Sequence, residues 1–384
     1  MADDWRNGGF GLYVHWPFCE AKCPYCDFNS HVSRNIDQKQ WVDAYLSELR
    51  RSASETPDRV LNTIFFGGGT PSLMDPETVA AVIDGARALW HPANDMEITL
   101  EANPGSVEAG RFSAYRDAGV NRISMGIQAL NDEDLRWLGR IHTVAEARAA
   151  FDTARNCFER VSFDLIYARQ HQTLEAWRTE LTEALSMAID HLSLYQLTIE
   201  DGTAFGDRYA VGRLRGLPED DSAADMYLAT QEICEAHGLP AYEVSNHARP
   251  GAESQHNLIY WRYGDYVGIG PGAHGRITLN GQKYATETYL NPQRWLDTAK
   301  KGNGEKDRSV LSLEDQANEY LMMGMRVTEG LDIDRWQALS GHSLPPETMD
   351  HLTDINMVQR RNGRLIATSD GRAVLNAVIR ELLD

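Results

Sequence analysis

Residues 11–31 read GLYVHWPFCEAKCPYCDFNSH. The opening Gly11–Phe18 is rich in aromatic and β-branched side chains, which predicts a strand. Three cysteines follow directly, Cys19, Cys23 and Cys26, in a Cys-x3-Cys-x2-Cys spacing. Thiolates spaced in this way can bind three irons of a cubane 4Fe–4S cluster, leaving the fourth iron open to an exogenous chelator. The alternatives are coincidence or a zinc site, and zinc needs a fourth donor that His15 or His31 could supply. The chain has five cysteines. An odd number clustered like this fits metal chemistry rather than a disulfide framework, and the solitary Cys157 and Cys234 read as small buried hydrophobes.

Outward from this loop, β-rich runs alternate with helical periodicity as far as about residue 200, the pattern of βα units around a parallel sheet. Five further strands are expected: Asn62–Gly69, Met96–Pro104, Arg122–Gln128, Arg160–Tyr167 and His191–Ile199. Asp75-Pro76 marks a helix start, and Thr143 with Glu146 makes a capping box. Trp41, Tyr45 and Leu49 share one face of a helix. A polar stretch then precedes a helix near Ala224–His237, and a glycine-rich segment spans Tyr263–Gly275. The polar run Lys300–Arg308 reads as a linker to helices, a short β-like run and a closing helix, Arg372–Leu383. The fold class expected is α/β, a partial (β/α)6 barrel with a small C-terminal helical, winged-helix-like domain. Its segments are a barrel core over 1–205, a barrel extension over 206–305 and a C-terminal domain over 306–384.

The 384 residues are 42% hydrophobic and 24% charged, the composition of a globular chain rather than a disordered or fibrous one. Lys and Arg number 37 against 56 Asp and Glu, a formal charge of -19, which opposes non-specific binding to phosphate backbones and anionic lipid. Nucleic acid is therefore not an expected partner. No basic-then-apolar leader or long uncharged apolar run is present, so a cytoplasmic location is expected.

The loop YVHWPFCEAKCPYCDFNSH resembles the cluster-binding loop of the radical S-adenosylmethionine superfamily. The resemblance implies that the amino and carboxylate groups of S-adenosylmethionine chelate the open iron. Gly67-Gly68-Gly69-Thr70-Pro71 falls where that superfamily has its glycine-rich turn, implying that Gly68, Gly69 and Thr70 approach the methionine moiety. Across residues 11–384 the chain is similar to the oxygen-independent coproporphyrinogen III oxidase family. That similarity implies S-adenosylmethionine contacts at Tyr13, Glu101 (ITLEANPG), Gln128 (SMGIQ), Arg140 (LGRIH) and Asp164 (SFDLIY), with Tyr25 of the cysteine loop counted beside them. All are suited to the task, since carboxylates and amides can meet ribose hydroxyls and Arg140 a carboxylate.

Two departures separate the chain from the oxidase. Phe28 stands where the oxidase motif carries a fourth cysteine, and the motif begins so early that the oxidase's longer N-terminal segment has no counterpart. Both features, with His256-Asn257-Leu258-Ile259-Tyr260-Trp261, resemble the HemW-type heme chaperones of the same family. That resemblance implies heme binding and transfer to an acceptor protein, including one met transiently at a membrane. His256 would be an axial ligand, Tyr260 and Trp261 would cover the porphyrin, and Arg262 would meet a propionate. The alternative for the motif is a satisfied core histidine beside aromatic packing. His274 is a second candidate ligand. The alternative function is an oxidase-type radical enzyme of porphyrin biosynthesis, a coproporphyrinogen dehydrogenase, and a third reading is an RNA-modifying radical enzyme, which the acidic charge opposes.

Gly270-Pro271-Gly272-Ala273-His274-Gly275 matches G-x-G-x-x-G, but RITLNGQKYAT follows it and reads as a hairpin about Asn280-Gly281 rather than a helix. A dinucleotide site is not expected there.

Overall fold

The structure is a computed structural model that describes residues 3–33, 36–105 and 110–383. Six strands carry the alternation: β1 (Phe10–Trp16), β2 (Val60–Gly68), β3 (His91–Ala102), β4 (Arg122–Gln128), β5 (Arg160–Tyr167) and β6 (His191–Gln196). They lie parallel and side by side in chain order. Each crossover therefore returns to the neighbouring position, and the C-terminal strand ends collect along one rim. Phe10, Leu12, Val14 and Trp16 are fully buried on β1, as expected of a sheet enclosed on its inner face and by helices outside.

The ends of β4 and β5 fall where the sequence predicts them. β3 starts earlier, at His91, because its polar first residues pair with Val60 and Leu61. β6 stops at Gln196, short of the expected Ile199. Asp37 caps the helix Gln38–Glu55, whose Trp41, Tyr45 and Leu49 are buried. Thr143 and Glu146 form the predicted capping box. Asp75 precedes Pro76–Leu89 without a side-chain cap bond.

Five more strands extend the sheet. β7 (Asn246–Ala248) runs antiparallel to β6, and β8 (Asp265–Ile269) lies parallel to β1 on its free side. β9 (His274–Leu279), β10 (Gln282–Thr288) and β11 (Glu305–Val310) continue antiparallel from β8. Asn280 and Gly281 join β9 to β10 with φ of 50° and 81°, the left-handed pair that a tight hairpin requires. The G-x-G-x-x-G run is the turn between β8 and β9, with no helix after it.

The run expected as a linker contains β11, a sheet edge. Its charges looked solvated in sequence because their partners are remote: Arg51 pairs with Glu305 at 2.8 Å and Arg308 with Glu55 at 2.8 Å. Beyond it, Tyr320, Leu321, Trp336, Leu365 and Ile379 form a separate core around a three-stranded sheet. The closing helix is broken into Ser369–Ala373 and Leu375–Leu383. Among the described residues no helix is long and apolar enough to cross a membrane.

The extension is locked to the barrel by Asp265, a buried carboxylate between Arg59 at 2.9 Å and Lys283 at 3.0 Å. Removing it would strand two buried cations. Asp265→Ala is expected to cost about 3–5 kcal/mol of unfolding free energy, read by urea denaturation; a loss below about 1 kcal/mol would show that the triad is dispensable.

Candidate functional site

Pro17 ends β1, and Phe18–Cys19 then pairs with His31–Val32, closing the cysteine loop at its base. The loop, the ends of β2–β5 and the segment after β4 enclose a cavity of about 140 Å³. Cys19, Cys23, Tyr25, Cys26, Gly68, Gly69, Thr70, Glu101, Gln128, Arg140 and Asp164 all line it. Thus every expected cluster or S-adenosylmethionine residue except Tyr13 faces one space. Gly68 has φ 112°, and a Cβ there would lie 2.5 Å from the His15 ring. At Gly69 a Cβ would meet the Phe18 carbonyl oxygen at 2.7 Å. The glycine turn is bare because the His15 ring of β1 and the Phe18 backbone at the start of the cysteine loop fill the space side chains would take.

Burial raises the thiol pKa of Cys19 and Cys26, so a metal centre binding there would displace protons. The Arg140 guanidinium donates to Asn103 Oδ1 at 2.7 Å and to the Gly126 carbonyl at 2.8 Å, and one nitrogen lies 3.4 Å from Cys23 Sγ. Its Nε is buried without a partner. Glu101 accepts from the Gly68 amide at 3.2 Å. Burial first, and the nearby Asp164 second, push its carboxyl up to about 8. Asp164 is pushed up to about 6 by burial, with Arg122 and the Ser193 and Ser124 hydroxyls pulling the other way. Gln128 closes β4 at φ 75°, a left-handed position at which a non-glycine residue stores strain.

A second cavity, of about 630 Å³, shares Phe28, Gly68 and Glu101 with the first. Tyr13 lines this one, with His15, Tyr260, Trp261, Tyr263, Tyr266, His274, Arg276, Glu319, Met322 and Met323. The Tyr13 hydroxyl bonds His15 Nδ1 at 3.0 Å, and His15 Nε2 meets the Asn29 carbonyl at 3.0 Å.

His256 lies behind the wall of this second cavity, beneath Tyr260. It is 1% exposed, and both ring nitrogens are engaged, Nδ1 with Thr63 Oγ1 at 2.6 Å and Nε2 with the Tyr260 hydroxyl at 2.7 Å. Burial pushes its pKa down to about 3. Both ring nitrogens thus have protein partners, the arrangement that the core-histidine alternative describes. Arg262, expected at a propionate, is held in a two-pronged pair with Glu329 at 2.9 and 2.8 Å.

Several lining residues escaped the sequence reading. Asn103 bridges Arg140 and Thr70; its place just after Glu101 at a strand end was the available signal. Glu319, Met322 and Met323 come from the helix Leu313–Gly324, and no local pattern marks them.

The donor set fits the groups the loop suggests. Among the described residues no three His, Cys, Asp or Glu side chains converge on a single-ion site. A cubane needs no such convergence, because each thiolate takes a different iron. The unpartnered Arg140 Nε and the two destabilised carboxyls suit a ligand bearing both a carboxylate and a cation.

The Radical SAM superfamily profile matches residues 13–182, and the HemN C-terminal domain profile matches residues 311–374. Fold and cysteine cavity together define a radical S-adenosylmethionine protein, and that superfamily implies a 4Fe–4S cluster and S-adenosylmethionine. The heme chaperone HemW of Escherichia coli K12 is 41% identical over 321 residues, 83% of this chain and 82% of that protein. The mitochondrial radical S-adenosyl methionine domain-containing protein 1 of Mus musculus is 41% identical over 333 residues, 85% of this chain and 75% of that protein. The chain belongs to the HemW family within the radical S-adenosylmethionine superfamily. In fold it is similar to the E. coli coproporphyrinogen III oxidase HemN, with a TM-score of 0.81 at 21% identity over 98% of this chain and 92% of that one.

Two predictions follow from the cavity. The folded protein holds the Glu101 proton between the ordinary value of 4.5 and about 8, where the unfolded chain has released it. Stability from this group is therefore lost as pH rises through that interval. The stability of Glu101→Gln relative to wild type, in cluster-free protein, should rise by roughly 1–3 kcal/mol from pH 5 to pH 8; a flat difference would contradict the assignment. Gly68→Ala should lower the melting temperature and impair cluster retention, both strain and the His15 contact opposing it; normal iron content after anaerobic reconstitution would count against the tight turn.

Proposed function

We propose that this protein binds heme in its aromatic cavity, beside a cluster site, and passes it to an acceptor protein. The observation that carries the reading is the shared wall: Phe28, Gly68 and Glu101 border both cavities. The larger space falls within the ~300–1,000 Å³ usual for small-molecule sites. Tyr260, Trp261, Tyr263, Tyr266, Met322 and Met323 on its wall suit the flat apolar faces of a porphyrin. Arg276, paired with Glu319 at 2.8 Å, is a cation within reach of a propionate. The names of the relatives support the same cargo.

In this reading Cys19, Cys23 and Cys26 hold the 4Fe–4S cluster, with S-adenosylmethionine at its fourth iron. The cluster supplies an electron-transfer centre when bound. Arg140 Nε meets the methionine carboxylate, while Glu101 and Asp164 face the cationic and ribose portions. Gly68, Gly69 and Thr70 admit the methionine backbone closely, and Tyr25 and Gln128 complete the wall. The chain divides by task. Residues 1–205 hold cluster and nucleotide, 206–305 supply most of the aromatic wall, and 306–384 close it through Glu319, Met322 and Met323. The acceptor is a protein, met in the cytoplasm or transiently at a membrane; the charge of -19 opposes nucleic acid.

Phe28, 57% exposed and bordering both cavities, stands where the oxidase motif has its fourth cysteine, which favours a carrier over an oxidase. Anaerobic reconstitution, heme titration and an assay for S-adenosylmethionine cleavage on one sample decide between them. Stoichiometric heme uptake is expected, without conversion of coproporphyrinogen III. Turnover to a vinyl-bearing product with release of 5′-deoxyadenosine, and no heme uptake, would install the oxidase in its place.

A further inference from the structure

We infer that His274 is the imidazole that meets the heme iron. The inference rests on the heme-carrier reading and assigns its metal ligand. Two histidines line the larger cavity, His15 and His274. His15 is 5% exposed, and both its nitrogens are engaged. His256, behind the wall, is likewise occupied at both nitrogens. The His274 side chain is 59% exposed, and the polar group facing it is the Glu287 carboxylate, 4.0 Å from Nδ1.

The two residues stand directly opposite in the β9–β10 ladder. A ligating imidazole commonly gives its second N–H to a carboxylate, which orients the ring and raises its basicity. At 4.0 Å Nδ1 faces Glu287 without yet bonding it, and Lys306 holds the other Glu287 oxygen at 3.7 Å; closing that gap would leave Nε2 as the metal-facing nitrogen.

The backbone beneath is rigid. The Ala273 amide donates to Thr288 Oγ1 at 2.9 Å, the Thr288 amide to the Ala273 carbonyl at 3.0 Å, and the Gly272 amide to the Tyr289 carbonyl at 3.1 Å. The Asn29 side chain anchors the same turn through the Pro271 carbonyl at 2.9 Å. The ligand is thus carried on fixed strand ends rather than on a loose loop, at the rim of an apolar, aromatic cavity. A rim position also leaves the iron approachable by a competing ligand from an acceptor, as handover requires.

The test compares full-length wild type, His274→Ala, Glu287→Gln and His256→Asn, each reconstituted anaerobically and titrated with heme, with circular dichroism to verify folding. Wild type should give a histidine-ligated Soret spectrum. His274→Ala should shift that band and weaken binding at least ~10-fold, with added imidazole restoring the spectrum. Glu287→Gln should weaken binding by about 10-fold, within the range for a partner behind a metal ligand. Folded His256→Asn, which loosens the Tyr260 wall, should weaken binding yet keep the wild-type band position, whereas a shifted band there would move the iron ligand from His274 to His256. A folded His274→Ala protein with unchanged affinity and spectrum would overturn this assignment while leaving the heme carrier intact. Absence of heme binding by wild type would instead remove the carrier reading itself, and the ligand with it.

Discussion

The site depends on the packing of one neutral imidazole, that of His15. Its carbonyl accepts from the Tyr45 hydroxyl at 2.7 Å, and its ring is fixed between the Tyr13 hydroxyl and the Asn29 carbonyl. The Asn29 oxygen can only accept, so Nε2 carries the proton and Nδ1 receives the Tyr13 hydroxyl. Burial pushes the His15 pKa down to about 4, which preserves that tautomer around neutrality. Gly68 and Gly270 come from different strand ends, and a Cβ on either would strike His15. Asn29 continues the tie, donating to the Pro271 and Leu290 carbonyls at 2.9 Å each. The cysteine loop, the glycine turn after β2 and the turn after β8 are thereby drawn to one point. Each such bond contributes only about 1 kcal/mol net, but together they set the width of both cavities.

The electrostatics of the first cavity follow from the same convergence. Parallel strands in sequence order deliver Glu101 and Asp164 to one rim, where burial disfavours ionisation of both and the Asp164 charge adds to the effect at Glu101. Both are raised, and the smaller rise at Asp164 reflects its neighbours. Asp164 has Arg122 and two hydroxyls to moderate it, whereas Glu101 has chiefly the Gly68 amide besides Arg122. Perturbed acids in a cavity that also holds an unpartnered guanidinium nitrogen are the mark of a binding site rather than of core structure.

Much of this was legible in the sequence because it depends on short-range pattern. The strand alternation, the Thr143–Glu146 box and the Asn280-Gly281 turn are local chemistry, and the three cysteines lie within one loop. Glu101, Gln128 and Asp164 came from the family resemblance, and their positions on successive parallel strands agree with a site on the C-terminal rim. What stayed hidden depends on distant partners. β11 looked like a linker because its charges are answered by Arg51 and Glu55, far back in the chain. Of the larger cavity only Tyr260, Trp261 and His274 were singled out as heme contacts, since its floor comes from β1 and part of its cover from the helix Leu313–Gly324.

His256 illustrates the limit most clearly. A histidine four residues before a tyrosine and five before a tryptophan looks like a ligand beside its stacking surface. The same spacing on the helix Gln255–Trp261 places the imidazole under Tyr260, whose hydroxyl it bonds. The ring stacks on Phe65 at 5.0 Å between centroids and touches Thr63, both on β2. Glu97 on β3 fastens the start of the helix, accepting from the His256 amide at 3.2 Å and the Ser254 hydroxyl at 3.3 Å. The Tyr260 and Trp261 side chains thus reach the cavity from a helix tied to two barrel strands. The motif is then a device for building the wall, in which the histidine positions the aromatic surface and leaves the cavity side to other residues. A buried histidine with both nitrogens satisfied is costly to disturb, so sensitivity of cargo binding at this position would follow from wall geometry as directly as from coordination.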